Sequence, residues 1–115
     1  MSYILTKAEN LPKKEKFEMS ISMIPNIGNC DVIFAKTDTG HNQEFYDAES
    51  TYHYIIVGGS GSFFLDDKEV TVKEGDYLVI APKTRIYYKG KMQIVLITNP
   101  PWKAENEVET KAKVW

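Results

Sequence analysis

Hydrophobic and polar positions alternate in short runs along most of this chain. From Phe17 to Ile24, Phe17, Met19, Ile21 and Met23 share one face, and Glu18, Ser20 and Ser22 the other. A period of two is the signature of a half-buried strand, and Pro25 with the Asn26–Asn29 turn stops it. Asp31 to Lys36 is a second strand. The stretch TDTGHNQEFYDAE, Thr37 to Glu49, is polar and reads as irregular, with a short extended piece from Gln43 to Tyr46. Thr51 to Val57 is rich in β-branched and aromatic residues, and Gly58 and Gly59 permit a tight reversal or a bulge. Ser62–Leu65 and Glu69–Val72 form a hairpin through Asp66–Asp67. Glu74–Gly75 turns the chain into Tyr77–Ala81, which Pro82 ends because proline cannot donate to a ladder. Arg85–Tyr88 and Met92–Thr98 follow, joined by Lys89–Gly90–Lys91, and Pro100–Pro101 stops the last strand.

Many short strands with turn signals every eight to twelve residues predict an all-β sandwich or barrel. No βαβ alternation and no long amphipathic helix competes with that reading. The tail 102–115 is charged and reads as a loose helix or an extended arm. Its two tryptophans, Trp102 and Trp115, are expected to pack on the barrel or on a second subunit.

Composition narrows the function classes. The chain has 115 residues, 43% of them hydrophobic, which suits one domain with one core. A net charge of -2 with interspersed signs gives no basic stripe for nucleic acid. Lys13, Lys14 and Lys16 sit beside Glu15 and Glu18 and read as a solvated edge. No apolar run is long enough to span a bilayer, and the N-terminus lacks a secretory pattern. A cytoplasmic protein is expected, with neither membrane nor nucleic acid as partner. Cys30 is alone, so no intrachain disulfide forms, and a buried inert thiol is the simplest reading.

From Gly58 to Pro82 the chain reads GGSGSFFLDDKEVTVKEGDYLVIAP. Gly59, Gly61, Gly75, Asp76 and Pro82, together with the closing ITNPPW, carry a resemblance to the cupin family, small jelly-roll barrels also described as double-stranded β-helices. The resemblance spans most of the chain. It implies a single cupin-like domain over 1–115, with N-terminal strands in 1–31, a barrel core of about 32–108 and the tail 102–115. It also implies a homodimer, for which the Phe17–Ile24 edge and the two tryptophans are candidate contacts. The family's first motif has a glycine, His-x-His, a glutamate and a glycine. Here Glu44 and Tyr46, or Phe45 and Asp47, take the His-x-His places, and Thr51 or Tyr52 takes the glutamate place. Ile86 or its neighbour takes the place of the third histidine. The usual metal ligands are missing, so no metal and no cofactor is expected. Glu44, His53 and His41 are the one substitute set the sequence offers.

Strand alternation then predicts a pocket. If Thr51 points inward, so do His53, Ile55 and Val57, with Glu44 and Tyr46 beside them and Ile86 and Tyr88 across the barrel. If Tyr52 points inward instead, His53 faces outward, because a one-residue slip inverts a strand. In the first register Glu44, Tyr46, Thr51, His53, Ile86 and Tyr88 form the ligand site, and His53 is the candidate acid or base. In either register Glu44 also reads as an ordinary surface carboxylate, His53 as a half-buried strand histidine, and His41 as a solvated loop residue. The first functional expectation is a metal-independent barrel that binds a small polar molecule, such as a carbohydrate, without catalysis. The alternative is a metal-free sugar isomerase or epimerase that uses His53. A metal-dependent cupin enzyme with atypical ligands is third.

Overall fold

A computed structural model describes residues 2–16, 19–111 and 115. Phe17 and Glu18, at the start of the alternating N-terminal run, lie outside the described residues. The strands are β1 (Lys14–Lys16), β2 (Met19–Ile24), β3 (Asp31–Thr37), β4 (Gly40–Asp47), β5 (Thr51–Leu65), β6 (Lys68–Lys73), β7 (Tyr77–Ile80), β8 (Ile86–Asn99) and β9 (Glu107–Glu109). Single 3₁₀ turns occur at Ala8–Asn10 and Ala104–Asn106. Among the described residues, these nine strands form one antiparallel sheet, with β1-β2-β3-β8-β4-β9 as its main path and β5 joined to β6, β7 and β8. The sheet curls into a jelly-roll β-barrel, as the turn pattern predicts.

The strand β8 organises the barrel. One of its edges pairs with β5 from Ile86 to Asn99. Its other edge pairs with β4 near Tyr88 and with β3 from Met92 to Thr98. The Lys89–Gly90–Lys91 segment is therefore not the reversal expected of it. The chain continues through it, bending where its partner changes. Gly90 has φ 135°, and a Cβ there would lie 2.5 Å from the Ser60 carbonyl oxygen, so a side chain does not fit. Likewise Thr51–Val57 and Ser62–Leu65 are parts of one 15-residue strand, with a bulge between Ile56 and Gly58.

Three other expectations are corrected. The polar stretch Thr37–Glu49 contains an eight-residue strand, β4, because β8 and the tail cover its two edges. The tail is not a helix over 107–109 but an extended strand, paired with Phe45, Tyr46 and Asp47. Cys30 is half-exposed rather than buried, its Sγ 3.7 Å from Asn26 Oδ1.

In β5 the inward positions are Tyr52, Tyr54 and Ile56, all buried, whereas Val57 is exposed. They join Phe45, Phe63, Ile86, Tyr88, Met92 and Ile94 in the core. Among the described residues no helix is long and apolar enough to cross a membrane.

Candidate functional site

The barrel encloses a cavity of about 620 Å³, within the range of small-molecule sites. Alternation decides which side chains reach it. From β2 come Met19, Ile21 and Met23, and from β3 Ile33 and Ala35. From β8 come Tyr88, Ile94, Leu96 and Thr98. From β5 come Tyr52 and Tyr54, and from β4 His41 and Phe45. Lys14 and Lys16, two apart on β1, share the inward face and reach the rim with Trp102 and Glu107. The lysines expected to be a solvated edge thus line the cavity.

Five of these groups close a ring. His41 and Phe45 have centroids 5.0 Å apart, Phe45 and Tyr52 5.9 Å, and Tyr52 and Tyr54 6.1 Å. Tyr54 and Tyr88 are 5.7 Å apart, and Tyr88 returns to His41 at 5.6 Å. Such spacings are in the range of favourable tilted aromatic pairs. The cavity thus combines π-faces with one imidazole and three phenols.

Burial sets the protonation of these groups. Desolvation lowers the pKa of His41 from 6.5 to about 4, so its imidazole is neutral at pH 7 and can accept a proton. Desolvation raises the phenols of Tyr52, Tyr54 and Tyr88 well above their ordinary value, so all three keep their protons. The Tyr52 hydroxyl lies 3.1 Å from Asp47 Oδ2 and donates to it. The Tyr88 hydroxyl donates to Met19 Sδ at 3.2 Å, a weak acceptor.

The structure scatters the six residues expected to form the ligand site. Tyr88 lines the cavity. Ile86 is buried in the core below it. Thr51 and His53 lie on the other face of β5 from Tyr52 and Tyr54, and His53 Nδ1 sits 3.0 Å from the Tyr77 hydroxyl in an exposed pair. The inward register is the one with Phe45, Asp47 and Tyr52, and the slip turns His53 away from the cavity. Tyr46 is half-buried opposite Val108 of β9.

Glu44 is fully buried, but beneath the tail. It accepts from Thr110 Oγ1 at 2.7 Å and pairs with Arg85 at 3.4 Å and Lys111 at 3.7 Å. His41, expected as a solvated loop residue, is an inward residue of β4. Its signal was present in the sequence: His41 and Phe45 flank a polar stretch that a strand with a register shift brings to the same side.

The metal centre usual for this barrel does not fit these residues. Among the described residues the cavity offers one imidazole, His41, and one carboxylate, Glu107. Among the described residues no three of His, Cys, Asp or Glu come together as ligands.

No protein-family model and no curated protein matches the chain. Solved structures do. A variant of Streptomyces PAC13 with a histidine replaced by glutamine, with uridine, superposes with a TM-score of 0.88 at 25% identity, over 96% of this chain and 92% of that one. A variant with a tyrosine replaced by phenylalanine gives 0.89 and 26%, over 96% and 93%. PAC13 is described as a nucleoside dehydratase with a β-barrel. An RmlC-like cupin from Shewanella frigidimarina has the same fold at 15% identity, with a TM-score of 0.71 over 90% of this chain and 96% of that one. The chain has the cupin fold.

Proposed function

We propose that the cavity binds a nucleoside and eliminates water from its sugar, with His41 as general base. The observation that carries this reading is the meeting of His41, Tyr54 and Tyr88 in one cavity. Support comes from the likeness to PAC13, a nucleoside dehydratase with uridine-bound variants in which a histidine or a tyrosine is replaced. Aromatic faces suit a planar base, and the remaining polar groups suit a ribose.

The chemistry follows from protonation. Neutral His41 takes a proton from a sugar carbon, and the C–H electron pair becomes the new C=C bond. The C–O bond of the neighbouring carbon breaks, and a phenol protonates the departing hydroxide, releasing water. The imidazolium of His41 then returns a proton to the phenolate. An imidazole of pKa about 4 is a weak base, so the C–H must be acidified by an adjacent carbonyl. The substrate class is therefore a nucleoside whose sugar carries a carbonyl group.

The expectation of an epimerase centred on His53 has no support, since that side chain lies outside the cavity. The test has two stages. Uridine should raise the melting temperature in a saturable way. A carbonyl-bearing nucleoside should then lose one water, detected by mass spectrometry, and His41→Gln should bind uridine while losing turnover. Binding without turnover by the wild-type protein would favour the non-catalytic reading. No binding of any nucleoside would overturn the proposal.

A further inference from the structure

One polar group in the cavity has no role in the elimination. Thr98 is fully buried on β8 and lines the cavity. Among the described residues its Oγ1 has no hydrogen-bond partner. Buried hydroxyls are nearly always satisfied, because an orphan forfeits its bonds to water and gains nothing in return. Its two register partners make their hydrogen bonds to other groups, and neither bonds to it. Tyr52, its register partner on β5, donates to Asp47. Asp31, its partner on β3, accepts from the backbone N–H of Trp102 through Oδ2. The inward residues that precede Thr98 on β8, Ile94 and Leu96, are apolar. A valine would have the same shape and no orphan. The hydroxyl therefore costs stability in the empty protein.

Position suggests what the hydroxyl is for. Tyr88, beside His41, lies near one end of β8, and Thr98 lies near the other. The curl of the barrel brings the two ends together: Tyr88 touches Tyr54, Tyr54 touches Tyr52, and Tyr52 is the register partner of Thr98. A nucleoside with its sugar at His41 would therefore extend its base across the cavity past Tyr54 and Tyr52. The geometry points to Thr98 as the residue that reads the base, donating a hydrogen bond to a carbonyl oxygen of a pyrimidine ring. This inference rests on the nucleoside reading above and adds a specificity-determining residue to it.

The test compares wild type with Thr98→Val, using uridine, 2-thiouridine and 4-thiouridine as probes. Sulfur accepts hydrogen bonds poorly, so the wild-type protein should bind one thio analogue more weakly than uridine. Thr98→Val should bind uridine about tenfold more weakly than wild type does. It should also no longer distinguish uridine from that analogue. Its ligand-free melting temperature should equal or exceed that of wild type, a result that a merely structural threonine would not give. Equal uridine affinity in the two proteins would overturn the assignment while leaving the nucleoside reading intact. So would a lower ligand-free melting temperature, since the hydroxyl would then have a partner in the empty protein. Failure of the wild-type protein to bind uridine or either analogue would overturn both.

Discussion

His41 on β4 and Tyr88 on β8 are register partners, with ring centroids 5.6 Å apart and planes inclined at 43°. The ladder between the two strands thus sets a proton acceptor beside a proton donor, both withdrawn from solvent. Gly40, next in the chain, makes the contact possible. It has φ 123°, and a Cβ there would lie 2.2 Å from the Tyr88 carbonyl oxygen.

Gly40→Ala should therefore disturb both strands. The clash is with backbone, which cannot turn aside, and the positive φ adds strain. A loss of about 3 kcal/mol is expected. Uridine affinity should fall with it, because the displaced strands carry His41 and Tyr88. Denaturant unfolding and calorimetric binding measure the two effects.

Stability should depend on pH through His41. Its pKa is about 4 when folded and 6.5 ordinarily. The unfolded chain therefore binds the proton more tightly. The stabilising contribution of neutral His41 is complete above pH 6.5, falls as the pH drops towards 4, and is gone below that. Its size is on the order of 3 kcal/mol. His41→Gln should flatten this part of the profile, so the difference between wild type and variant in unfolding free energy should change between pH 7 and 4. A constant difference would contradict the burial argument.

His53→Ala should leave uridine binding and turnover within about twofold, since the side chain lies on the outer face with Tyr77. The edge contact between those rings, 5.8 Å between centroids, is worth under about 1 kcal/mol at an exposed site. A large loss of turnover would show that the outer face takes part in the chemistry.

Glu44 holds the C-terminal tail to β4 through Thr110 and Lys111, and pairs with Arg85 just before β8. Glu44→Gln keeps the shape and removes the charge, and Arg85 retains Asp66 and Asp67. A loss of about 2 kcal/mol is expected, with proteolysis at the tail faster than in the wild-type protein. Uridine affinity should drop less than in Gly40→Ala, because Glu44 does not reach the cavity.

Trp102 lines the cavity, and the other tryptophan, Trp115, lies beneath Lys89 Nζ at 5.2 Å. A ligand should change the fluorescence of Trp102. Trp102→Phe should abolish the uridine-dependent signal and Trp115→Phe should retain it.

Much of the barrel was legible in the sequence. Period-two runs, the Asp66–Asp67 turn and the Glu74–Gly75 corner are local features, and local sterics dictate their conformation. The hairpin of β5 and β6 and the strand β7 followed from them. The continuity of β5 and β8 did not. Glycine permits both a reversal and a bend, and only the partner strands select one. The site was less legible. In TYHY either parity places aromatic or β-branched groups on both faces, so composition could not distinguish a cavity lined by Tyr52 and Tyr54 from one lined by His53. Tyr88 was singled out only by aligning the chain with the cupin motif, two residues after the third-histidine place at Ile86, and its side chain lines the cavity.

The sequence by itself determined the β architecture, the cupin resemblance, and the absence of the usual histidine ligands, because turn chemistry, alternation and residue identity are properties of short segments. The tertiary structure alone decided which parity of β5 faces inward, that His41 belongs to a strand, and that Thr98 is an orphan. Each depends on pairing between segments distant in the chain, where β8 meets β3, β4 and β5. A one-residue shift in that pairing exchanges the inner and outer faces, and no local propensity encodes it.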